Sequence, residues 1–361
     1  MLYYASGHDL LTPQELAQRQ PSSALESLAQ PTPFDPSTSD VGTGADYAVA
    51  FTPIGLGLPL TILIHEVYTG RHPRAGLFRA VADMLVTSSI KSISTFDAQP
   101  LALNLLERAV QAKSRVRRAG ASRQGTSLVY YSPSVIDVSL TLDLSIVFDQ
   151  FPAEFFESAG GLMIAAAGIP LFFAQSSYLL GAGALTKLVG KAAEKLFDGT
   201  PAFRVSEPLD IQLAGNVPLA AGFLLLTDGH LDLEFRQTYR VNQRGRVVDS
   251  RGAEYQGDIP FIVLSIDGAP HQEFAAFAPT AASSVILSRF LGVQEGDQQS
   301  VHTAIEAISL YSDFKFRQQL DQLDRQIAAT PIGNQDSLRK RREAIAANIT
   351  NDLFKSPTPS S

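Results

Sequence analysis

The sequence predicts an α+β protein: antiparallel β-sheet units, a central Gly/Ala-rich helical element and a C-terminal helical hairpin. Three observations lead to this fold class. Apolar and polar residues alternate from Ile136 to Phe148, as in a half-buried strand. The stretch from Ser158 to Thr186 contains no charged residue. Near the C-terminus, apolar residues recur at three- and four-residue steps, which is typical of packed helices.

The composition indicates a folded chain with a sizeable core. Charged residues make up 18% of the 361 residues and hydrophobic residues 45%, which excludes a disordered protein. The net charge of −7 offers no basic face, so we expect no nucleic-acid partner. The lack of cysteine excludes disulfides, thiolate nucleophiles and cysteine-ligated zinc. The first residues have no secretory signal pattern, so we expect a cytoplasmic protein.

The first part of the chain predicts an arm followed by a β-rich domain. Residues 1–44 contain a long stretch rich in Pro, Ser, Thr and Gln, which we interpret as an extended N-terminal arm with a short helix near its start. Residues 45–157 are predicted as a β-rich domain with one helix, Asp97–Val116. The strands of this domain are predicted at Tyr47–Phe51, Leu60–Tyr68, Met84–Ile93 and Ile136–Phe148. The alternation in the last strand favours antiparallel neighbours with one face in water.

The second half of the chain predicts a β-meander and then helices. Residues 199–292 form a β-meander domain with a closing helix at Thr280–Leu291, and residues 293–354 form the C-terminal helical hairpin. Residues 355–361 are predicted as a disordered tail. The strands and the two long helices are predicted at Leu209–Leu213, Leu219–Leu226, Leu231–Val241, Ser300–Ile327 and Asp336–Leu353.

Residues 158–198 are predicted as an apolar helical element with three alternative roles. The uncharged part is long enough to cross a bilayer, but Pro170 and five glycines favour two short helices with a break. A cationic amphipathic helix follows it. The element is therefore a buried helical pair, a membrane-binding segment or an oligomer interface. The residues predicted to contact a membrane or a partner are Leu162, Ile164, Leu171, Phe172, Phe173, Leu179, Leu180, Lys187, Lys191 and Lys195.

One group of residues has the composition of a metal site. His230, Asp232 and Glu234 are spaced to share one face of the predicted strand Leu231–Val241. The alternative is a solvated strand face whose charges pair with those of its neighbours. The other His/carboxylate pairs, His65 with Glu66 and His302 with Glu306, lack the spacing of a metalloprotease motif.

Two arginine-rich stretches, 115–125 and 240–252, are predicted as exposed loops. Either could be cut by a protease that recognises arginine, and ordinary basic hairpin loops are the alternative interpretation. The residues predicted to be sensitive to such a protease are Arg118, Arg123, Arg244 and Arg246.

The sequence predicts a non-enzymatic effector or interaction protein, and it assigns no catalytic residue and no cofactor. We expect the apolar segment to engage an anionic membrane or a partner chain, including a second copy, after a proteolytic or conformational trigger. A soluble oligomeric scaffold is the first alternative, which light scattering would reveal as a stable oligomer. A metal-dependent enzyme at His230, Asp232 and Glu234 is the second, and it requires bound metal that Asp232→Ala removes.

Overall fold

The computed structural model describes most of the chain. The described residues are 1–6, 9–19, 51–73, 81–92, 100–117, 125–153, 155–157, 172–174, 201–211, 219–274, 298–332 and 335–355. Five predicted features fall wholly or largely outside them: the N-terminal arm 1–44, the strand Tyr47–Phe51, the apolar element 158–198, the closing helix Thr280–Leu291 and the disordered tail 355–361.

The described secondary structure consists mainly of fourteen strands and four α-helices, besides a 3-10 helix at Gln272–Phe274. The strands are β1 Leu2–Ser6, β2 Asp9–Leu11, β3 Leu60–Tyr68, β4 Val81–Ser92, β5 Pro100–Gln111, β6 Arg115–Arg117, β7 Leu128–Ser132, β8 Ser139–Asp149, β9 Phe172–Ala174, β10 Phe203–Asp210, β11 Gly222–Thr227, β12 Tyr239–Val241, β13 Val247–Asp249 and β14 Phe261–Asp267. The helices are α1 Pro13–Arg19, α2 Leu233–Thr238, α3 Gln298–Ala329 and α4 Asp336–Ala347.

The strands form two large antiparallel sheets and one small sheet. A seven-stranded sheet has the order β2-β1-β11-β14-β3-β6, and β7 also pairs with β3. A five-stranded sheet has the order β10-β8-β4-β5-β9, and β12 pairs with β13 in the small sheet. The prediction of antiparallel sheets is confirmed.

The two large sheets share one apolar core. Along β8 the buried residues alternate with partly exposed ones, and Leu140, Leu142 and Leu144 enter this core. Leu224 and Ile262 enter the same core from the seven-stranded sheet. Two sheets that bury a common face in this way form a β-sandwich.

Two predictions for the first 120 residues are wrong. The predicted helix Asp97–Val116 contains instead β5 and β6. In β5, Leu103 and Leu105 are buried against β4, and Ala109 has φ +52°, which an α-helix does not accept. The first eleven residues are also not part of an extended arm, because β1 and β2 lie in the seven-stranded sheet.

The outer face of the seven-stranded sheet is covered by residues 228–260. Tyr68, Phe223 and Phe261 from the sheet pack in one cluster with Phe235 and Tyr255 from this covering segment. The segment carries α2 where a strand over Leu231–Val241 was predicted. That prediction is wrong because the carboxylate of Asp232 accepts a hydrogen bond from the backbone N–H of Phe235 and starts a helix there.

Two helices at the end of the chain pack against each other and against β7. Leu320 and Leu323 of α3 meet Ile345 of α4 in an apolar cluster. The side chain of Asn348 donates to the backbone carbonyl of Ser134 at 2.6 Å and accepts from the hydroxyl of Ser132 at 2.9 Å. These hydrogen bonds hold the end of α4 to the segment that follows β7.

Candidate interaction site

The apolar segment Ser158–Thr186 contributes the edge strand of the five-stranded sheet. Within this segment the structure describes Phe172–Ala174, and these residues form β9. The predicted helical element is therefore wrong for these three residues. The other predicted contact residues lie outside the described part of the chain: Leu162, Ile164, Leu171, Leu179, Leu180, Lys187, Lys191 and Lys195.

Strand β9 pairs with the beginning of β5. The pairs are Ala174 with Pro100, Phe173 with Leu101 and Phe172 with Ala102. On its other side, β5 pairs with β4 from Ala102 to Gln111. The neighbouring strands β8 and β4 are paired over ten residues, so β9 has by far the shortest ladder in this sheet.

Within the residues that the structure describes, no helix is both long enough and apolar enough to cross a bilayer. Most of Ser158–Thr186 lies outside those residues, so its predicted membrane contact stays a prediction.

The predicted metal ligands lie at the start of α2 and not along a strand. His230 and Asp232 precede the helix, and Glu234 lies in its first turn. The carboxylate of Asp232 is engaged as the helix cap at 2.7 Å from the backbone nitrogen of Phe235. Across the described ranges, no three His, Asp or Glu side chains are grouped as a metal site requires. His302 and Glu306 lie within α3.

The structure brings the two arginine-rich stretches together. Arg115 and Arg117 of β6 and Arg246 from the turn before β13 converge on the carboxylates of Glu66 and Glu254. We call these five residues the Glu66 cluster. Arg118 and Arg123 lie outside the described residues. The convergence could not be read from the sequence, because it depends on β6 lying beside β3 and below the covering segment.

The centre of the Glu66 cluster is almost completely withdrawn from water. The side chain of Glu66 is 1% exposed and that of Arg115 is 10% exposed. Nη1 of Arg115 lies 2.9 Å from Oε1 of Glu66, and its Nε lies 3.2 Å from Oε2 of Glu254. The guanidinium of Arg115 also lies 4.5 Å from the ring centre of Tyr68. Burial raises the pKa of the Tyr68 hydroxyl to about 12. Arg115 therefore joins the sheet to the covering segment.

A β-bulge places both His65 and Glu66 on the covered face of the sheet. Glu66 pairs with Val263 and Ile64 with Leu264, so His65 has no residue opposite it in β14. This extra residue shifts by one position the alternation of side chains between the two faces of β3. Ile64 before it and Val67 after it therefore both face the sandwich core. The ring of His65 then reaches the hydroxyl of Ser265 at 2.7 Å through Nε2.

The turn that carries Arg244 and Arg246 is tightly bonded. The side chain of Asn242 accepts from the backbone nitrogens of Arg244 at 3.0 Å and Arg246 at 3.1 Å. Gly245 is buried with φ +69°, and a Cβ there would lie 3.1 Å from the Cβ of His65. Arg246 is held by Glu254 at 3.2 Å, while Arg244 is exposed. A protease could reach the Arg244 side chain, but cleavage would require this turn to open. Protease sensitivity at Arg244 and Arg246 stays a prediction.

We predict that Glu254 makes the stability of the fold depend on pH in the acidic range. Burial raises the pKa of its carboxyl, but Arg117, Arg115 and Arg246 together lower it below the ordinary value of 4.5. A lowered pKa in the folded state stabilises the fold above the unfolded pKa, and this contribution is lost as the pH falls below it. The free energy of unfolding should therefore decrease between about pH 5 and pH 3.

Urea unfolding at a series of pH values measures this dependence. The variant Glu254→Gln should show a shallower decrease than the unmodified protein, because its amide does not titrate. Glu343→Gln removes an exposed carboxylate from α4 and serves as the control. Equal slopes in the unmodified protein and in Glu254→Gln would contradict the prediction.

The described residues define a mostly β protein of the α+β class with antiparallel sheets. The sequence matches no protein-family model and no curated protein.

Proposed function

We propose that this protein is a non-enzymatic interaction protein whose apolar segment leaves the edge of the β-sandwich and engages a partner chain or a membrane surface. One observation carries the proposal. The described part of Ser158–Thr186 is the edge strand β9, and three residue pairs join it to the sheet. A segment held in this way can separate while the rest of the sandwich stays folded.

The backbone pairing that holds β9 is weak in comparison with the pairing that holds the other strands of the sheet. A backbone hydrogen bond contributes a net of about 1 kcal/mol, so the short β9 ladder contributes only a few. The adjoining strand β8 pairs with β4 over ten residues and with β10 over eight, and its apolar residues lie in the core. Release of the edge strand therefore leaves the main core intact.

The sequence around β9 supports a role in contact with another surface. The flanking residues from Ser158 to Thr186 carry no charge, so exposing them to water is unfavourable and burying them against a partner is favourable. Lys187, Lys191 and Lys195 follow at four-residue steps and would favour an anionic surface.

The Glu66 cluster supports a structural role for the buried charges. Its two carboxylates are engaged by arginines of the same chain, and the pairs join β3 and β6 to the covering segment. Breaking these pairs to bind a substrate would leave charges buried without partners, which costs several kcal/mol. The cluster is therefore better explained as a structural element than as a site that binds a substrate.

A disulfide that locks β9 to β5 tests the proposal. The chain has no cysteine, so Leu101→Cys with Phe173→Cys places the two thiols on directly opposite residues without competing pairs. The oxidised and reduced forms are compared by flotation with anionic vesicles and by light scattering, before and after limited trypsin treatment. We expect the reduced form to bind vesicles or to associate, and the oxidised form to do neither.

The control variant carries a disulfide in the same sheet away from β9. Asp143→Cys with Ser206→Cys joins opposite residues of β8 and β10. This pair should leave binding and association unchanged on oxidation. The proposal fails if the oxidised and reduced forms of the β9 variant bind and associate to the same extent.

A further inference from the structure

We infer that the partner of β9 is a second copy of this chain, and that Phe172–Ala174 of one copy pairs with Pro100–Ala102 of the other. This inference rests on the proposed function, because β9 must first leave its own β5.

The complementarity of the two strands is already present within one chain. Phe172–Ala174 pairs with Pro100–Ala102 in a defined antiparallel register. A second copy carries the same three residues and can form the same pairs with the vacated β5. The pairing gained between copies then equals the pairing lost within one copy. The equilibrium between the monomer and the exchanged dimer is therefore set by the protein concentration and by additional contacts.

The other edges of the five-stranded sheet are less suited to accepting a strand. At the opposite end, β10 contains Pro208 together with the charged residues Arg204 and Glu207, and proline and charge discourage strand addition. The later part of β5 is distorted at Ala109, which has φ +52°. The backbone N–H of Ala109 donates to the carboxylate of Asp83 at 3.0 Å. The start of β5 is therefore the favoured acceptor.

The chain length around β9 permits exchange between copies. Fourteen residues separate Glu157 from Phe172, and twenty-six separate Ala174 from Pro201. Fourteen residues reach at most roughly 50 Å when fully extended, which exceeds the width of a small sheet. The absence of charge from Ser158 to Thr186 also removes electrostatic repulsion between the two copies of this segment.

Mixing two single-cysteine variants tests the exchange. Leu101→Cys and Phe173→Cys are prepared separately with tags of different size, mixed at high concentration in urea below the unfolding transition, diluted and mildly oxidised. Neither variant alone can form the 101–173 disulfide. We expect a disulfide-linked heterodimer in which peptide mapping finds that bond.

The control mixture combines Asp143→Cys with Ser206→Cys, whose strands β8 and β10 pair over eight residues at the opposite edge of the sheet. Aligned thiols have an effective concentration in the millimolar range, so the 101–173 heterodimer should exceed the control by at least about tenfold. A second mixture, Ala102→Cys with Phe172→Cys, uses the neighbouring pair in case one of the first variants folds poorly, which circular dichroism detects.

Each outcome supports or overturns the inference. An excess of the heterodimer in either test mixture supports it, whereas no heterodimer, or an amount equal to the control, overturns it. If the intramolecular lock blocks binding but no heterodimer forms, the proposed function stands and the partner is not a second copy. If the lock has no effect, the proposed function fails first.

Discussion

Replacing Glu66 with glutamine should lower the free energy of unfolding by roughly 3–5 kcal/mol, the usual cost of removing one partner from a buried ion pair. Glu66 is 1% exposed and lies 2.9 Å from Nη1 of Arg115, which is itself 10% exposed. Glutamine keeps the volume of the side chain but leaves the guanidinium of Arg115 without its buried counterion. Urea unfolding at neutral pH measures the difference.

Glu254→Gln is the matched control for this effect. Glu254 faces the same arginines, but its side chain is 26% exposed, so water can replace part of the lost interaction. Its loss of stability should be clearly smaller than that of Glu66→Gln. Equal losses in the two variants, or a change below about 1 kcal/mol for Glu66→Gln, would show that the buried pair does not hold the covering segment.

Replacing Gly125 with alanine should destabilise the fold by roughly 2–6 kcal/mol, which combines backbone strain with overpacking. Gly125 has φ +140°, a conformation that alanine rarely adopts. A Cβ would also overlap the carbonyl oxygen of Asn104 and lie 3.1 Å from the Cα of Leu105. Both contacts are with backbone, so no side chain can rotate away. Thermal and urea unfolding measure the loss.

Gly252→Ala separates the two causes of this loss. Gly252 has φ +81°, but a Cβ there would have no atom within 4 Å. Its substitution should cost about 1–2 kcal/mol, the penalty of the left-handed backbone alone. If Gly125→Ala costs no more than Gly252→Ala, the close approach of Gly125 to the backbone of Asn104 and Leu105 does not contribute to the loss of stability.

The strands that the sequence predicted correctly are those whose own residues carry the apolar or alternating pattern of a strand. Leu60–Tyr68 and Met84–Ile93 are rich in apolar and β-branched residues, and they coincide with β3 and most of β4. The alternation over Ile136–Phe148 corresponds to β8, whose burial alternates in the same way. These patterns succeed because a strand with one face in the core needs a two-residue period.

The elements that were missed depend on contacts outside the local pattern. In β5 the leucines fit both a helical and an extended interpretation, and pairing with β4 decides between them. Around Leu231–Val241 the apolar spacing favoured a strand, but the side chain of Asp232 starts a helix. The apolar composition of Ser158–Thr186 favoured helices, whereas pairing with β5 makes Phe172–Ala174 extended.

The Glu66 cluster could be predicted only in part. A glutamate within the apolar run of β3 is the local signal of a buried charge that needs a partner. Its partner Arg115 is 49 residues away, and Arg117 and Glu254 are 137 residues apart. The bulge at His65, which directs Glu66 toward these partners, has no distinct signature in the sequence.

Strand β1 has a consequence for how the protein is made. Leu2–Tyr4 pair with Leu224–Leu226, so during synthesis β1 must wait for residues more than two hundred positions later in the chain. At the usual 5–20 residues per second, this delay is roughly 10–45 seconds. During that time the seven-stranded sheet lacks β11 and β14, which lie between β1 and β3. Until β11 and β14 are made, β1 and β3 lack these two neighbours, and the apolar residues that pack there stay exposed in the nascent chain.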